Sequence, residues 1–324
     1  MKIIFMGTPK FARQSLVCLN GSRHDVVAVV TGPDQRSRRG GQMIPTPVGR
    51  EAQELGLEIY KPASLKEEEF CTKLSNYAAD LIVVVAFKIL PEKLFSLPAR
   101  GSINIHTSLL PRYRGAAPIN WALINGEKET GLSSFFLKRK VDTGDIILQE
   151  KVTITENDTF DTLSARLSEL AGPFLLRTLD LVENPGPRRP RSQEDDQATP
   201  APRIQPFDAM IDFGMPASRV CNFVRGLSST PGAYTFFRGN RIKILACRQH
   251  SGATPIPGER HLRPGTILDD RRRFLVQCAD LCVEVVSVLP QGKKLISGRD
   301  FLNGITPLPG ECLGEIPREE QNQQ

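Results

Sequence analysis

The order of elements in this 324-residue chain predicts an α/β fold: a doubly wound sheet domain followed by a small β-barrel of the oligonucleotide-binding type. Three observations carry that prediction. Strand and helix signals alternate through the first half. A stretch with six prolines, PGPRRPRSQEDDQATPAPRIQP, interrupts them at 185–206. Beyond it the apolar residues fall into short β runs. The length itself is ordinary for two domains.

KIIFMG reads as a short strand ending at Gly7, and residues 10–20 follow as a helix. HDVVAVVTG is a second strand and TPVGREAQELG a second helix, opened by Pro47, whose fixed φ suits a first helical position. LEIY, SLKEEEFCTKLSNY and DLIVVVAF repeat strand, helix, strand. Val83, Val84 and Val85 form an unbroken apolar run, as in a strand covered on both faces. GSINIHTS is the next strand and PINWALINGE the next helix. This alternation predicts a parallel sheet with right-handed crossovers. GLSSFFL and DIILQEKVTI add two strands. Phe160, Leu163, Leu167, Leu170 and Phe174 then recur at spacings of 3, 4, 3 and 4, one face of a long helix. Asp158 or Thr159 can cap its start, and Pro185, Gly186 and Pro187 end it near Asn184.

These signals divide the chain into a first domain at 1–184, a linker at 185–206, a second domain at 207–310 and a polar tail at 311–324. The linker is expected to be partly extended, because prolines dominate it and large apolar residues are scarce. In the second domain GAYTFFRG, RIKILACR, GTILDD, RFLVQCA and LCVEVVSVLP are five short strands with no long helix between them.

Composition narrows the class. At 40% hydrophobic and 24% charged residues the chain is globular. No apolar run reaches membrane-spanning length, and MKIIFMGTP lacks the apolar region of a secretory signal, so a cytoplasmic protein is expected. Seven cysteines, with no C-x-x-C pair, argue against zinc and against a disulfide framework. The net charge is +6, and residues 207–310 carry all of it, with 14 Lys+Arg against 8 Asp+Glu. A localised basic surface points to a polyanion such as nucleic acid.

Asn104 and His106 lie two apart in INIH, so they share one strand face. SLLP follows directly, which places them at a strand's carboxyl end, where ligands bind in open α/β sheets. Asn can donate to a developing oxyanion, and His can act as acid, base or donor. Alternatively, the pair can simply cap a turn and bond a loop. Asp142, in VDTGD, is a turn former by default and an imidazole partner if it lies close enough. The loop SLLPRYRGAAP exposes backbone N–H groups near the strand end and suits a planar, partly anionic cofactor. GPDQRSRRGGQMIPTP is a 16-residue basic loop holding Arg36, Arg38 and Arg39, suited to a phosphate backbone. No G-x-G-x-x-G or P-loop pattern and no metal-ligand cluster occurs.

INIHTSLLPRYRGAAPINWALINGE, followed by VDTGD, resembles the methionyl-tRNA formyltransferase family, and the likeness runs through nearly the whole chain. FMGTPKFA, VTGPDQRSRRGGQMIPTPV, VVVAFKILP, DDQATPAP and STPGAYTFF are similar to further motifs of that family. The resemblance implies a Rossmann-like catalytic domain and an OB-like domain that helps hold tRNA. It implies formyl transfer from 10-formyltetrahydrofolate to the α-amine of initiator methionyl-tRNA, without a metal. By motif position it makes Asn104, His106 and Asp142 catalytic. It assigns Ser108, Leu109, Leu110, Pro111, Phe87 and Ile89 to the folate, and Arg36, Arg38 and Arg39 to tRNA. Asn104 and His106 would donate to the oxyanion, and Asp142 would hold His106. A monomer is the default. The alternatives are a folate-dependent formyltransferase for a sugar-nucleotide amine and a nucleic-acid-binding protein with a non-catalytic first domain.

Overall fold

The computed structural model describes residues 1–37, 41–187, 189–250, 262–270 and 272–314, and the chain divides into two compact units. The first comprises Met1–Pro118, Glu129–Thr153 and Leu163–Pro202; the second comprises Ile119–Lys128, Ile154–Thr162 and the chain from Arg203 on.

The first unit is built on a seven-stranded sheet with helices along the chain between its strands. In chain order it runs β1 (Lys2–Gly7), α1 (Lys10–Asn20), β2 (Asp25–Val30), β3 (Gln35–Arg36), β4 (Met43–Ile44), α2 (Pro47–Glu54), β5 (Ile59–Tyr60) and α3 (Glu68–Ser75). It continues through β6 (Leu81–Val85), α4 (Glu92–Phe95), β7 (Ser102–His106), α5 (Pro118–Ile124), β8 (Glu129–Phe136), β9 (Ile146–Thr153) and α6 (Phe160–Glu183). Strand order is β5-β2-β1-β6-β7-β8-β9, and β3 pairs only with β4. Alternate residues of β1 and β6 serve two cores. Ile4, Met6, Ile82 and Val84 pack with Phe70 and Leu74, while Ile3, Phe5, Val83 and Val85 are fully buried on the opposite face.

The expected parallel sheet holds from β5 to β7, but β8 and β9 run antiparallel. The reason is the connections. The helix after β7, α5, belongs mostly to the second unit. Residues 137–145 then join β8 to β9 as a hairpin, which permits only antiparallel pairing. Sequence order reverses between β1 and β6, so the crevice at a switch point lies beyond the carboxyl ends of β1, β6 and β7.

Two connecting segments differ from the expected boundaries. Residues 185–202, read as linker, are fastened to the first unit: Arg191 bridges Ile146, and Pro200 bridges Arg114. Proline stiffens this stretch, but its N–H and C=O groups find partners on the unit's own loops. Of the tail, Glu311 pairs with Arg238, Cys312 bridges Thr266, and Leu313 is buried. Residues 315–324 lie outside the described residues.

The second unit carries an antiparallel half-barrel. After α7 (Ala217–Leu227) come β10 (Tyr234–Phe237), β11 (Asn240–His250), β12 (Ile267–Asp270), β13 (Arg273–Gln277), β14 (Cys282–Pro290), β15 (Ile296–Ser297) and α8 (Gly298–Ile305). The five expected strands are present, in the order β10-β11-β14-β13-β12. The two helices were not expected. Ala217, Val220, Val224 and Leu227 recur at 3, 4 and 3, and this helical face fills the core beside Phe236 and Val285. All seven cysteines are free, with Cys71, Cys278 and Cys282 buried. Among the described residues no helix is long and apolar enough to cross a membrane.

Candidate active site

β7 delivers Asn104 and His106 to the sheet's carboxyl edge on one face, as period 2 requires. Among the described residues Asn104 makes no side-chain hydrogen bond, and its Oδ1 is buried without a partner. A buried amide oxygen left this way is unfavourable in isolation, and it leaves the side chain available to a ligand. His106 is buried, and its Nε2 lies 2.8 Å from the Tyr113 carbonyl oxygen. A carbonyl only accepts, so Nε2 carries the proton and donates it. The other nitrogen, Nδ1, faces Asp142 Oδ2 at 3.9 Å.

Asp142 sits at the turn of the β8–β9 hairpin with φ +54°. Its Oδ2 accepts the Gly115 N–H at 2.9 Å. The residue expected to hold His106 thus faces its Nδ1 from 3.9 Å. The imidazole is held by the Tyr113 carbonyl, and the carboxylate is held by Gly115. At 3.9 Å the two groups face each other beyond direct hydrogen-bond distance.

A cleft of about 850 Å³ opens on the same unit, past the carboxyl end of β1. Lys10, Arg36 and Arg50 line it from α1, β3 and α2. All three are exposed and make no ion pair among the described residues, whereas Arg13 beside them is paired with Glu51. β1 and β7 are separated only by β6, a distance of about 10 Å at ordinary strand spacing.

The formyl transferase profile matches residues 1–179, and the formyl transferase C-terminal domain profile matches residues 203–306. A methionyl-tRNA formyltransferase of Moorella thermoacetica is 41% identical over 316 residues, 97% of this chain and 99% of that protein. The chain belongs to the methionyl-tRNA formyltransferase family. The fold agrees. The solved methionyl-tRNA formyltransferase of Clostridium thermocellum superposes with a TM-score of 0.56 at 18% identity, over 78% of this chain and 95% of that one. WlaRD, a sugar 3N-formyl transferase solved with dTDP and 5-N-formyl-THF, gives 0.65 at 16% identity, over 91% and 99%. At such identities these two likenesses speak for the fold alone.

Of the residues the family resemblance assigns to folate, the structure separates two kinds. Ile89, 75% exposed, and the half-buried Phe87, Leu109 and Pro111 present apolar surface at or just beyond the ends of β6 and β7. Leu110 instead packs in a core cluster with Phe135 and Ile146. Its N–H donates to Ser133 Oγ at 3.1 Å, and its carbonyl accepts from Gln149 Nε2 at 2.9 Å. Ser108 donates to the Arg112 carbonyl at 2.6 Å and accepts Ser133 Oγ on its own carbonyl at 2.6 Å. Leu110 and Ser108 thus shape the turn from within.

Several of the loop N–H groups expected to cradle a cofactor are already taken. Arg112 N–H donates to Leu109 O, Tyr113 N–H to Thr199 Oγ1, Arg114 N–H to Thr199 O and Gly115 N–H to Asp142. Folding uses these donors to build the loop. Arg36 lines the cationic cleft, and Arg38 and Arg39 lie outside the described residues. Sequence reasoning missed Tyr113 O, Gln193 and Thr199, which act through backbone and long-range bonds that no local pattern marks. Lys10 and Arg50 were missed too, although each is a solvent-facing cation beside a helix start.

Proposed function

We propose that the chain transfers the formyl group of 10-formyltetrahydrofolate to the α-amine of initiator methionyl-tRNA. The observation that carries this reading is the meeting of His106 Nδ1 and Asp142 Oδ2, 3.9 Å apart, with the Asn104 amide two residues earlier on β7, its Oδ1 without a partner among the described residues. The donor set fits a folate: apolar surface from Ile89, Leu109 and Pro111 for a ring system, and Asn104 for the transferred group. When bound, the folate supplies an activated formyl group on N10 and leaves with that bond's electron pair.

The residues divide the remaining work. The attacking amine must be neutral, and the Asp142 carboxylate stands where it can take a proton from it, directly or through water. As the amine adds, the formyl oxygen gains negative charge, and the Asn104 amide donates to it. Such a donor contributes roughly 3–4 kcal/mol to the transition state. His106, tied through Nε2 to Tyr113, turns Nδ1 toward Asp142, where that nitrogen can accept a proton released by the amine and pass it on. No covalent bond to the protein is required.

The acceptor side rests on charge. Lys10, Arg36 and Arg50, lining one cleft past the carboxyl end of β1, suit the phosphates next to an aminoacylated RNA end. The basic excess of residues 207–310 suits the body of the same polyanion. A sugar-nucleotide amine is the competing acceptor. Incubation with 10-formyltetrahydrofolate and methionyl-tRNA, followed by deacylation, is expected to release formylmethionine. Absence of that product, with a sugar amine formylated in parallel, would refute the proposal.

A further inference from the structure

We infer that Gln193, in the stretch that reads as linker, is a positioning residue whose amide clamps the Asp142 loop into its working shape. The inference rests on the formyl-transfer reading of Asn104, His106 and Asp142. Gln193 Oε1 accepts from Arg114 Nε at 3.0 Å and Nη2 at 2.8 Å. Its Nε2 donates to the carbonyls of Asp142 at 2.9 Å and Gly144 at 2.8 Å. All four hydrogen-bonding positions of the amide are filled, by partners that can only donate or only accept, so its orientation is fixed.

The loop needs such a clamp. Asp142 is a non-glycine residue at φ +54°, a conformation that persists only where its surroundings enforce it. Gly144 admits no side chain, because a Cβ there would overlap the Phe136 carbonyl. Gln193 also grips the opposite side of the site. Arg114 precedes Gly115, whose N–H holds the Asp142 carboxylate, so one amide fixes both ends of that hydrogen bond. Asp195 reinforces the grip, accepting from Arg114 Nη1 at 2.7 Å and Lys140 Nζ at 3.1 Å. Its hydrogen bond from Arg114, then that from Lys140, hold its carboxyl below the ordinary value, so it stays charged. Thr199, six residues on, holds Tyr113, the residue whose carbonyl fixes His106.

Gln193→Glu separates a positioning role from bulk. It keeps the acceptor toward Arg114 but turns a carboxylate oxygen against two carbonyls. The expected result is a kcat lower by about 10- to 100-fold, KM for methionyl-tRNA and folate within about twofold, and a melting temperature near that of the parent. In an Asp142→Asn background, assayed by single turnover, Gln193→Ala should remove less than about twofold more. An unimpaired kcat overturns the inference, as does an undiminished further loss in the Asp142→Asn background. Should the carboxylate variant not fold, Gln193→Met keeps the volume without the amide. Lowered kcat at unchanged KM then supports the inference, and parental kcat overturns it. A parent protein that does not formylate methionyl-tRNA would instead refute the proposed function.

Discussion

At His106, the nitrogen already engaged decides what chemistry is left. The Tyr113 carbonyl takes the Nε2 proton at 2.8 Å, so only Nδ1 can exchange protons with a substrate. Asn104 is the complementary case, a side chain two residues earlier that the fold places at the site and leaves without a hydrogen bond. Its amide has no structural duty to lose. Asn104→Ala is therefore expected to lower kcat by about 10²- to 10³-fold, the usual effect of deleting an oxyanion donor, with little change in stability. Single-turnover formylation would measure it. A rate within about threefold of the parent would mean that another group meets the oxyanion.

At the scale of elements, α7 shows how a helix can depend on a distant residue. Pro216 precedes it and supplies no side-chain cap. Instead Asp280, in the β13–β14 loop, accepts the Ala217 N–H at 2.7 Å and the Leu281 N–H at 2.7 Å. The Ala217 bond above all holds the Asp280 carboxyl below its ordinary value. A lowered folded pKa means stabilisation that is present above the unfolded value of about 4 and lost as pH falls through the folded one. Asp280→Ala should cost about 1 kcal/mol at neutral pH, as loss of a cap does. Denaturant melts of the two proteins should converge in acid below that window; a gap independent of pH would rule out the carboxylate as its source. Apolar spacing alone carried the signal for α7, while its cap, 63 residues away, left no trace in the local pattern.

For the whole molecule, the governing quantity is where unpaired positive charge lies. Lys10 and Arg50 come from separate helices, and only the packing of α1 and α2 beside β3 lines one cleft with them and Arg36. Binding of RNA should release counterions from each phosphate they meet. Lys10→Ala with Arg50→Ala is expected to weaken methionyl-tRNA binding and flatten the slope of log K against log salt by about 1 to 2. Filter binding across a salt series tests this. An unchanged slope would place the RNA phosphates elsewhere.

What the sequence by itself determined is what short-range periodicity and motif order can encode. Alternation in INIH and the unbroken Val83–Val85 run mark buried strands, and their order with the helices implies a crevice at the carboxyl ends. Period 2 put Asn104 and His106 on one strand face, but local chemistry left Asp142 a turn former, and only the family resemblance joined the three into one expected site. The direction of β8 and β9 was decided by where the intervening segments packed. Likewise, only the tertiary structure showed that the N–H groups of the Arg112–Gly115 loop are used internally and that residues 185–202 belong to the first unit. It alone set Asp142 3.9 Å from His106 with Gln193 behind it. Apart from the Arg112–Leu109 turn, those contacts join residues tens of positions apart, through polar groups whose partners are chosen by folding rather than by neighbours in the chain.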